Sequence, residues 1–163
     1  MVLVENVKKD DLDELISLAK SAWQHTYQSI ISQAQIDFML KTFYEKSRLE
    51  KEMDDELNIF SKAVFENKIV GYTHCILQNN QLKLSKIYML PTEKQKGIGS
   101  LLIENVKDIA KKCGVEKIIL QVNRNNSAKE FYLKKGFIII TEVDDILDNY
   151  ILNDYVMELD LNT

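Results

Sequence analysis

The residues with the clearest chemical potential lie in one stretch, Ile87-Tyr88-Met89-Leu90-Pro91-Thr92-Glu93-Lys94-Gln95-Lys96-Gly97-Ile98-Gly99-Ser100. An apolar run of strand type ends, a polar loop turns, and two alternate glycines open a helical pattern. Backbone amides in the first turn of a helix lack intrahelical partners and favour an anion. Glycine at 97 and 99 would let a bulky pyrophosphate approach those amides, since no Cβ stands in the way. Lys94 and Lys96 add positive charge. The pattern therefore suits a phosphate-bearing ligand, although a bare glycine pair also occurs at ordinary helix starts. Two other phosphate motifs are excluded. A dinucleotide fingerprint needs a third glycine where Leu102 stands, and a P-loop needs Gly-Lys-Ser/Thr after four intervening residues.

A second stretch, Gln121-Val122-Asn123-Arg124-Asn125-Asn126-Ser127-Ala128-Lys129-Glu130-Phe131-Tyr132-Leu133-Lys134-Lys135-Gly136-Phe137, joins an Asn-rich loop to a short helix stopped by glycine. On its own it describes a helix with Phe131 in the core and Tyr132 beside it. His25 and His74 are of a type that can act as bases at neutral pH, or serve only structure. Cys75 and Cys113 are far apart and have no metal-ligand spacing, so each reads as a small buried hydrophobe and no metal is expected.

The elements that must position these residues can be laid out along the chain. Residues 2–7 are rich in β-branched side chains and predict a strand. Asp10 or Asp11 can cap a helix to about Tyr27, with Leu12, Leu15, Ile16, Ala19 and Trp23 at helical spacing. Ser32-Gln33-Ala34-Gln35 is a capping-box pattern for a second helix, and Ser47 with Glu50 repeats the signal for a third, ending near Asp55. Three strands over residues 59–65, 69–77 and 82–90 follow, separated by the turn signals at 66–68 and 78–80. An amphipathic helix then carries Ile98, Leu102, Val106, Ile109 and Cys113 inward and stops at Gly114. A strand over 117–122, a helix over 127–135 and closing strands over 137–143 and 155–161 complete the chain. The fold class is mixed α/β (α+β), with a largely antiparallel sheet flanked by helices.

Bulk properties narrow the function classes. At 163 residues with 45% hydrophobic and 28% charged side chains, the chain suits one domain, residues 1–163. Nothing approaches the roughly eighteen uninterrupted apolar residues of a membrane span. The first residues turn polar too soon for a signal peptide, so a cytoplasmic protein without membrane partners is expected. A net charge of −4 argues against a nucleic-acid partner, which needs a basic face.

Taken together, the two stretches resemble the GNAT superfamily of acetyl-CoA-dependent N-acetyltransferases, over roughly residues 57 to 161. The resemblance implies the GNAT fold, with a sheet of about six to seven strands, and acetyl-CoA as co-substrate. It implies that Lys94, Gln95, Lys96, Gly97, Ile98, Gly99 and Ser100 hold the pyrophosphate. Ile87, Tyr88 and Met89 would pair with the pantetheine arm. Asn125 matches an asparagine that contacts the cofactor, and Tyr132 matches the tyrosine that protonates the departing thiolate. One departure is Lys94, where the family commonly has Arg or Gln; lysine keeps a donor but loses the planar fork.

The resemblance leaves the general base open. Where some relatives carry glutamate on the fourth strand, this chain has Ser85 and Lys86, and a water relay to a carboxylate is the expectation. Residues 21–28, with Phe43 and the segment from Leu49 to Glu52, look similar to the PaiA-type branch, which acetylates spermidine and spermine. Trp23 and Tyr27 would then line the acceptor channel, or else belong to the helix core. Asp144, Asp145, Asp148 and Asp154 form an acidic run before the last strand that could attract a polyamine or be a solvated loop. The alternatives are a protein N-terminus or lysine, another small amine as acceptor, or a non-catalytic CoA-binding module. The oligomeric state stays open, a homodimer included.

Overall fold

The computed structural model describes residues 1–93 and 97–162. Seven strands form one sheet: β1 (Leu3–Asn6), β2 (Asn58–Phe65), β3 (Lys68–Gln78), β4 (Gln81–Met89), β5 (Lys117–Asn123), β6 (Ile138–Leu147) and β7 (Tyr150–Asp160). Their order is β1-β2-β3-β4-β5-β7-β6. Three helices precede β2: α1 (Leu12–Tyr27), α2 (Gln33–Phe43) and α3 (Lys46–Asp54). Two more, α4 (Ile98–Lys112) and α5 (Ala128–Lys134), flank β5 in sequence.

The hairpins form because asparagine tolerates left-handed backbone. Glu66-Asn67 and Asn79-Asn80 all have positive φ, from 50° to 63°, the geometry that matches a two-residue turn to the twist of its strands. All pairings are antiparallel except β4 with β5, which is parallel and limited to Leu82↔Ile118 and Lys83↔Ile119. Beyond those pairs the two strands diverge and leave a wedge in the sheet.

Helices cover both faces. On one side Leu12, Leu15, Leu18, Ala19 and Ala22 of α1 pack with Leu49, Phe60 and Tyr72. On the other, Ile103, Val106 and Ala110 of α4 meet Leu84, Ile118, Leu120 and Met157. The β3–β4 ladder slips between His74 and Cys75, so that Lys86 opposes His74 while Leu84 opposes Cys75. Ser85 is the extra residue of this bulge, and a bulge re-aims the side chains that follow it. Leu84 and Ile87 consequently share the α4 face, whereas Tyr88 joins the α1 cluster.

Several sequence expectations are corrected. The third helix starts at Lys46 with Glu45 as its N-cap, and the Ser47 hydroxyl turns back to donate to Glu45 Oε1 at 3.0 Å. A 3-10 turn, Lys9–Asp11, precedes α1; Asp11 holds the N-cap position as expected, but its carboxylate accepts from Lys8 N and Lys62 Nζ, both at 2.7 Å, and makes no cap bond to α1. The closing strands are longer than their hydrophobic runs. β6 continues to Leu147 and β7 starts at Tyr150, so Asp144 and Asp145 lie in a strand and only Asp148 occupies the turn, with φ 55°. Polar side chains conceal these strands in the sequence, and cross-strand pairing determines their length. The Ser32 cap of α2 is as expected, its hydroxyl accepting from Gln35 N at 3.1 Å.

Candidate active site

The wedge between β4 and β5 is the centre of the site. Its edge of β4, beyond Lys83, has no β5 partner, so backbone groups there are free to pair with an extended ligand. A cavity of about 310 Å3 fills the wedge. Ile87, Tyr88 and Met89 form one wall, and Leu120, Gln121 and Val122 form the other. The start of α4 (Gly97, Gly99, Ser100) and the loop and helix at α5 (Asn126, Ser127, Ala128, Phe131, Tyr132) close one side; Ala22, Thr26 and Tyr27 of α1 close the opposite side.

The two glycines do different work. Gly97 is the N-cap of α4 at φ 76°, and open space surrounds the position of an added Cβ. Glycine is required there by the left-handed turn that presents the helix start to the cavity. At Gly99 a Cβ would stand 3.0 Å from Met89 Cε and 3.2 Å from Phe131 Cζ. Its role is to let α4 close on two side chains of the cavity wall, not only to admit a ligand. A left-handed helix start beside open space, facing an unpaired strand edge, fits a pyrophosphate and an extended thiol arm. Ile98 is buried behind this surface with Leu102. Lys94, Gln95 and Lys96 lie outside the described residues.

Tyr132 lines the cavity, is 8% exposed, and packs edge-on between Phe131 and Phe137 at 5.5 and 5.8 Å. It is the buried one of the pair, with Phe131 only partly covered, which reverses the reading of that helix taken alone. Burial, with Tyr27 nearby, pushes its hydroxyl well above the usual phenol range and keeps it protonated. Asn125 is exposed and does not line the cavity; its backbone N–H donates to Asn123 Oδ1 at 2.9 Å, and Asn126 faces the cavity instead.

On the opposite side the Tyr27 and Tyr88 hydroxyls share a hydrogen bond of 3.1 Å. Trp23 does not line the cavity. It backs that pair, with ring centroids 4.6 Å from Tyr27 and 5.7 Å from Tyr88, while its Nε1 donates to the Tyr44 hydroxyl at 3.3 Å. Tyr44 in turn bonds the Tyr72 hydroxyl. The β6–β7 hairpin reaches α2 through Phe38 and Tyr150, 5.2 Å apart. Asp154 of β7 opposes Asn123, and burial together with Asp145 pushes its carboxyl up to about 6.

Neither histidine enters the cavity. His25 is exposed on α1. His74 is 1% exposed, stacks on Phe60 at 4.0 Å and bonds Asn58 Oδ1 at 2.6 Å. Burial, with Lys86 nearby, pushes its pKa down to about 3, so it is neutral at physiological pH. Lys86 does line the cavity, although the sequence shows it only as a residue in the place of an expected carboxylate. Cys75 is wholly buried, and burial pushes its thiol up to about 12; Cys113 is partly covered at the end of α4. Among the described residues no group of His, Cys, Asp or Glu could hold a metal, and no helix is long and apolar enough to cross a membrane.

Comparison with known proteins agrees with this fold. The acetyltransferase (GNAT) domain family matches residues 24–158. A spermidine N(1)-acetyltransferase of Thermoplasma acidophilum is 30% identical over 139 residues, 82% of this chain and 86% of that protein. The ribosomal protein bS18 alanine N-acetyltransferase of Haemophilus influenzae is 36% identical over 89 residues, 55% of this chain and 58% of that protein. Among solved structures, the PaiA N-acetyltransferase of Thermoplasma acidophilum in complex with coenzyme A superposes with a TM-score of 0.86 at 27% identity, covering 98% of this chain and 99% of that one. With the family match spanning most of the chain, the chain belongs to the GNAT family of acetyl-CoA-dependent N-acetyltransferases.

Proposed function

We propose that the enzyme acetylates a primary amine of a polyamine such as spermidine or spermine. The observation that carries this reading is the β6–β7 hairpin, which brings Asp144, Asp145 and Asp154 to the sheet end where β5 borders the cavity, while Phe38 and Tyr150 join it to α2. A flexible polycation is matched by carboxylates beyond an aromatic throat of Tyr27 and Tyr88. The likeness to a spermidine N(1)-acetyltransferase supports the same choice. Acetyl-CoA and polyamines are intracellular metabolites, which supports a cytoplasmic enzyme.

In this reading Gly97, Gly99 and Ser100 hold the pyrophosphate at the start of α4, with Lys94, Gln95 and Lys96, the residues before it in sequence, contributing. The free edge of β4 at Ile87, Tyr88 and Met89 aligns the pantetheine arm, and Asn125 or its cavity-facing neighbour Asn126 steadies it. Acetyl-CoA, when bound, supplies the acetyl group as an activated thioester. The backbone amide near Met89 polarises the carbonyl, and Tyr132 protonates the sulfur as it leaves. Tyr27 shapes the acceptor entrance, held from behind by Trp23.

Turnover of acetyl-CoA across spermidine, spermine, simple diamines, amino acids and short peptides tests the proposal. Polyamines should show the highest kcat/KM. Preference for peptides with a free N-terminus would replace it with the second reading, which the likeness to a bS18 alanine N-acetyltransferase favours.

A further inference from the structure

The walls of the cavity carry no Asp, Glu or His among the described residues. Among the described residues, apart from Tyr27, Tyr88 and Tyr132, the ionisable side chain that lines it is Lys86. Lys86 follows the Ser85 bulge and opposes His74 across the ladder. Its Nζ lies 4.6 Å from the centre of the Tyr44 ring and 5.8 Å from that of Phe43, both at the end of α2. Among the described residues no carboxylate stands within ion-pair distance of it. A lysine so placed is anchored by aromatic faces and leaves its amine free to exchange a proton.

We propose that Lys86 is the general base of acetyl transfer, its neutral amine taking a proton from the acceptor ammonium at the α1 side of the wedge. The proposal rests on acetyl transfer to an amine, not on that amine being a polyamine. The charged surroundings are consistent with it. Burial pulls the Lys86 pKa down to about 8; Glu52 of α3 opposes that fall and Arg48 of α3 adds to it. His74 across the ladder stays neutral, and Tyr27, Tyr44 and Tyr88 stay protonated, so none of these changes charge near pH 8. Glu52 Oε1 is buried and has no hydrogen-bond partner among the described residues, which favours the protonated Lys86 once it forms. Asp154 is the competing candidate, but it does not line the cavity and titrates near 6. A base whose pKa lies nearer that of a primary ammonium takes its proton at a smaller penalty, which favours Lys86 over Asp154.

Lys86 Nζ accepts one proton and frees the lone pair on the acceptor nitrogen. That pair forms the N–C bond as the C–S bond breaks, and Tyr132 gives its proton to the departing sulfur. The second proton on nitrogen restores Tyr132, and Lys86 releases its own to solvent.

The test uses the full chain and whichever amine of the panel the unaltered enzyme turns over best, so failure of the polyamine reading shows before any variant is made. The kcat/KM profile should have an acid limb centred near 8, distinct from the acceptor's own limb near 10. Lys86→Arg, which keeps charge but cannot lose it, and Lys86→Met should each lower kcat/KM by about a hundredfold and remove the limb at 8, with the thermal shift by CoA retained. Independently of activity, the Lys86 13Cε resonance, assigned through its contacts with the Tyr44 and Phe43 rings, should titrate near 8 in the free protein. Wild-type turnover in Lys86→Arg, faster turnover in Lys86→Met, a limb near 6 abolished by Asp154→Asn, or a resonance that titrates above 10 would each overturn the proposal. If a variant fails to fold, the resonance of the unaltered protein decides.

Discussion

The Tyr27 and Tyr88 hydroxyls, 3.1 Å apart, tie the last turn of α1 to β4 across the acceptor side of the cavity. Burial pushes both hydroxyls upward, so the bond joins two neutral phenols throughout the physiological range. Tyr27→Phe would leave the buried Tyr88 hydroxyl without this partner. We expect a loss of about 1 kcal/mol in stability and a several-fold rise in acceptor KM. Unfolding in denaturant and steady-state kinetics with varied acceptor check both, and an unchanged KM would remove Tyr27 from the acceptor entrance.

Tyr132→Phe removes the proposed proton donor and keeps the edge-on packing with Phe131 and Phe137. Turnover should fall by one to two orders of magnitude, the scale of an acid–base contribution. CoA affinity, measured by calorimetry, should stay near that of the unaltered enzyme. Unchanged turnover would assign protonation of the sulfur to another group.

At Gly99 the wall is already closed, with Met89 and Phe131 within about 3.2 Å of the position of an added Cβ. Gly99→Ala meets the mobile ends of these side chains and should be tolerated with slightly weakened CoA binding. Gly99→Val cannot be absorbed so easily, and a folded variant should lose the rise in Tm that CoA gives. A retained rise would show that α4 does not need its close approach there.

The β6–β7 hairpin depends on Arg124. Its guanidinium donates to the carbonyls of Val143 at 2.9 Å and Asp154 at 3.3 Å and pairs with Asp144 and Glu142. Arg124→Ala should cost about 1–2 kcal/mol, discounted because part of the group meets solvent. Acceptor KM should rise while CoA binding is kept, because the hairpin joins α2 through Phe38 and Tyr150 and supplies no side chain to the cavity at the start of α4. Calorimetric titration with CoA, set beside acceptor kinetics, separates the two effects.

His74 contributes a pH dependence of stability with a definite sign. Its folded pKa, about 3, is below the ordinary value of 6.5, so the unfolded chain binds the extra proton between those limits. Its stabilisation is complete above about 6.5 and is lost as pH falls toward 3, at a limiting slope of about 1.4 kcal/mol per pH unit. A folded His74→Gln variant should show a shallower decline of Tm between pH 6.5 and 4. An equal decline in both proteins would place the loss elsewhere.

Much of this protein was legible in the sequence, because the relevant signals are local. Glu66-Asn67 and Asn79-Asn80 specify two hairpins, periodic Leu102 and Val106 specify the inward face of α4, and the pair Gly97 and Gly99 marks a helix start suited to phosphate. Tyr132 could be singled out through its spacing from that loop, by resemblance. What only the tertiary structure decided depends on partners distant in the chain. Cross-strand pairing and Arg124 extend β6 and β7 through polar residues that local pattern reads as loop. Packing against Met89 and Phe131 gives Gly99 a second reason to be glycine. The one-residue slip at Ser85 sets which way β4 side chains point, and it brings Lys86 to a cavity whose described walls have no carboxylate. A residue's type can be read from the sequence, but the face it presents depends on register, and register is fixed by strands far apart along the chain.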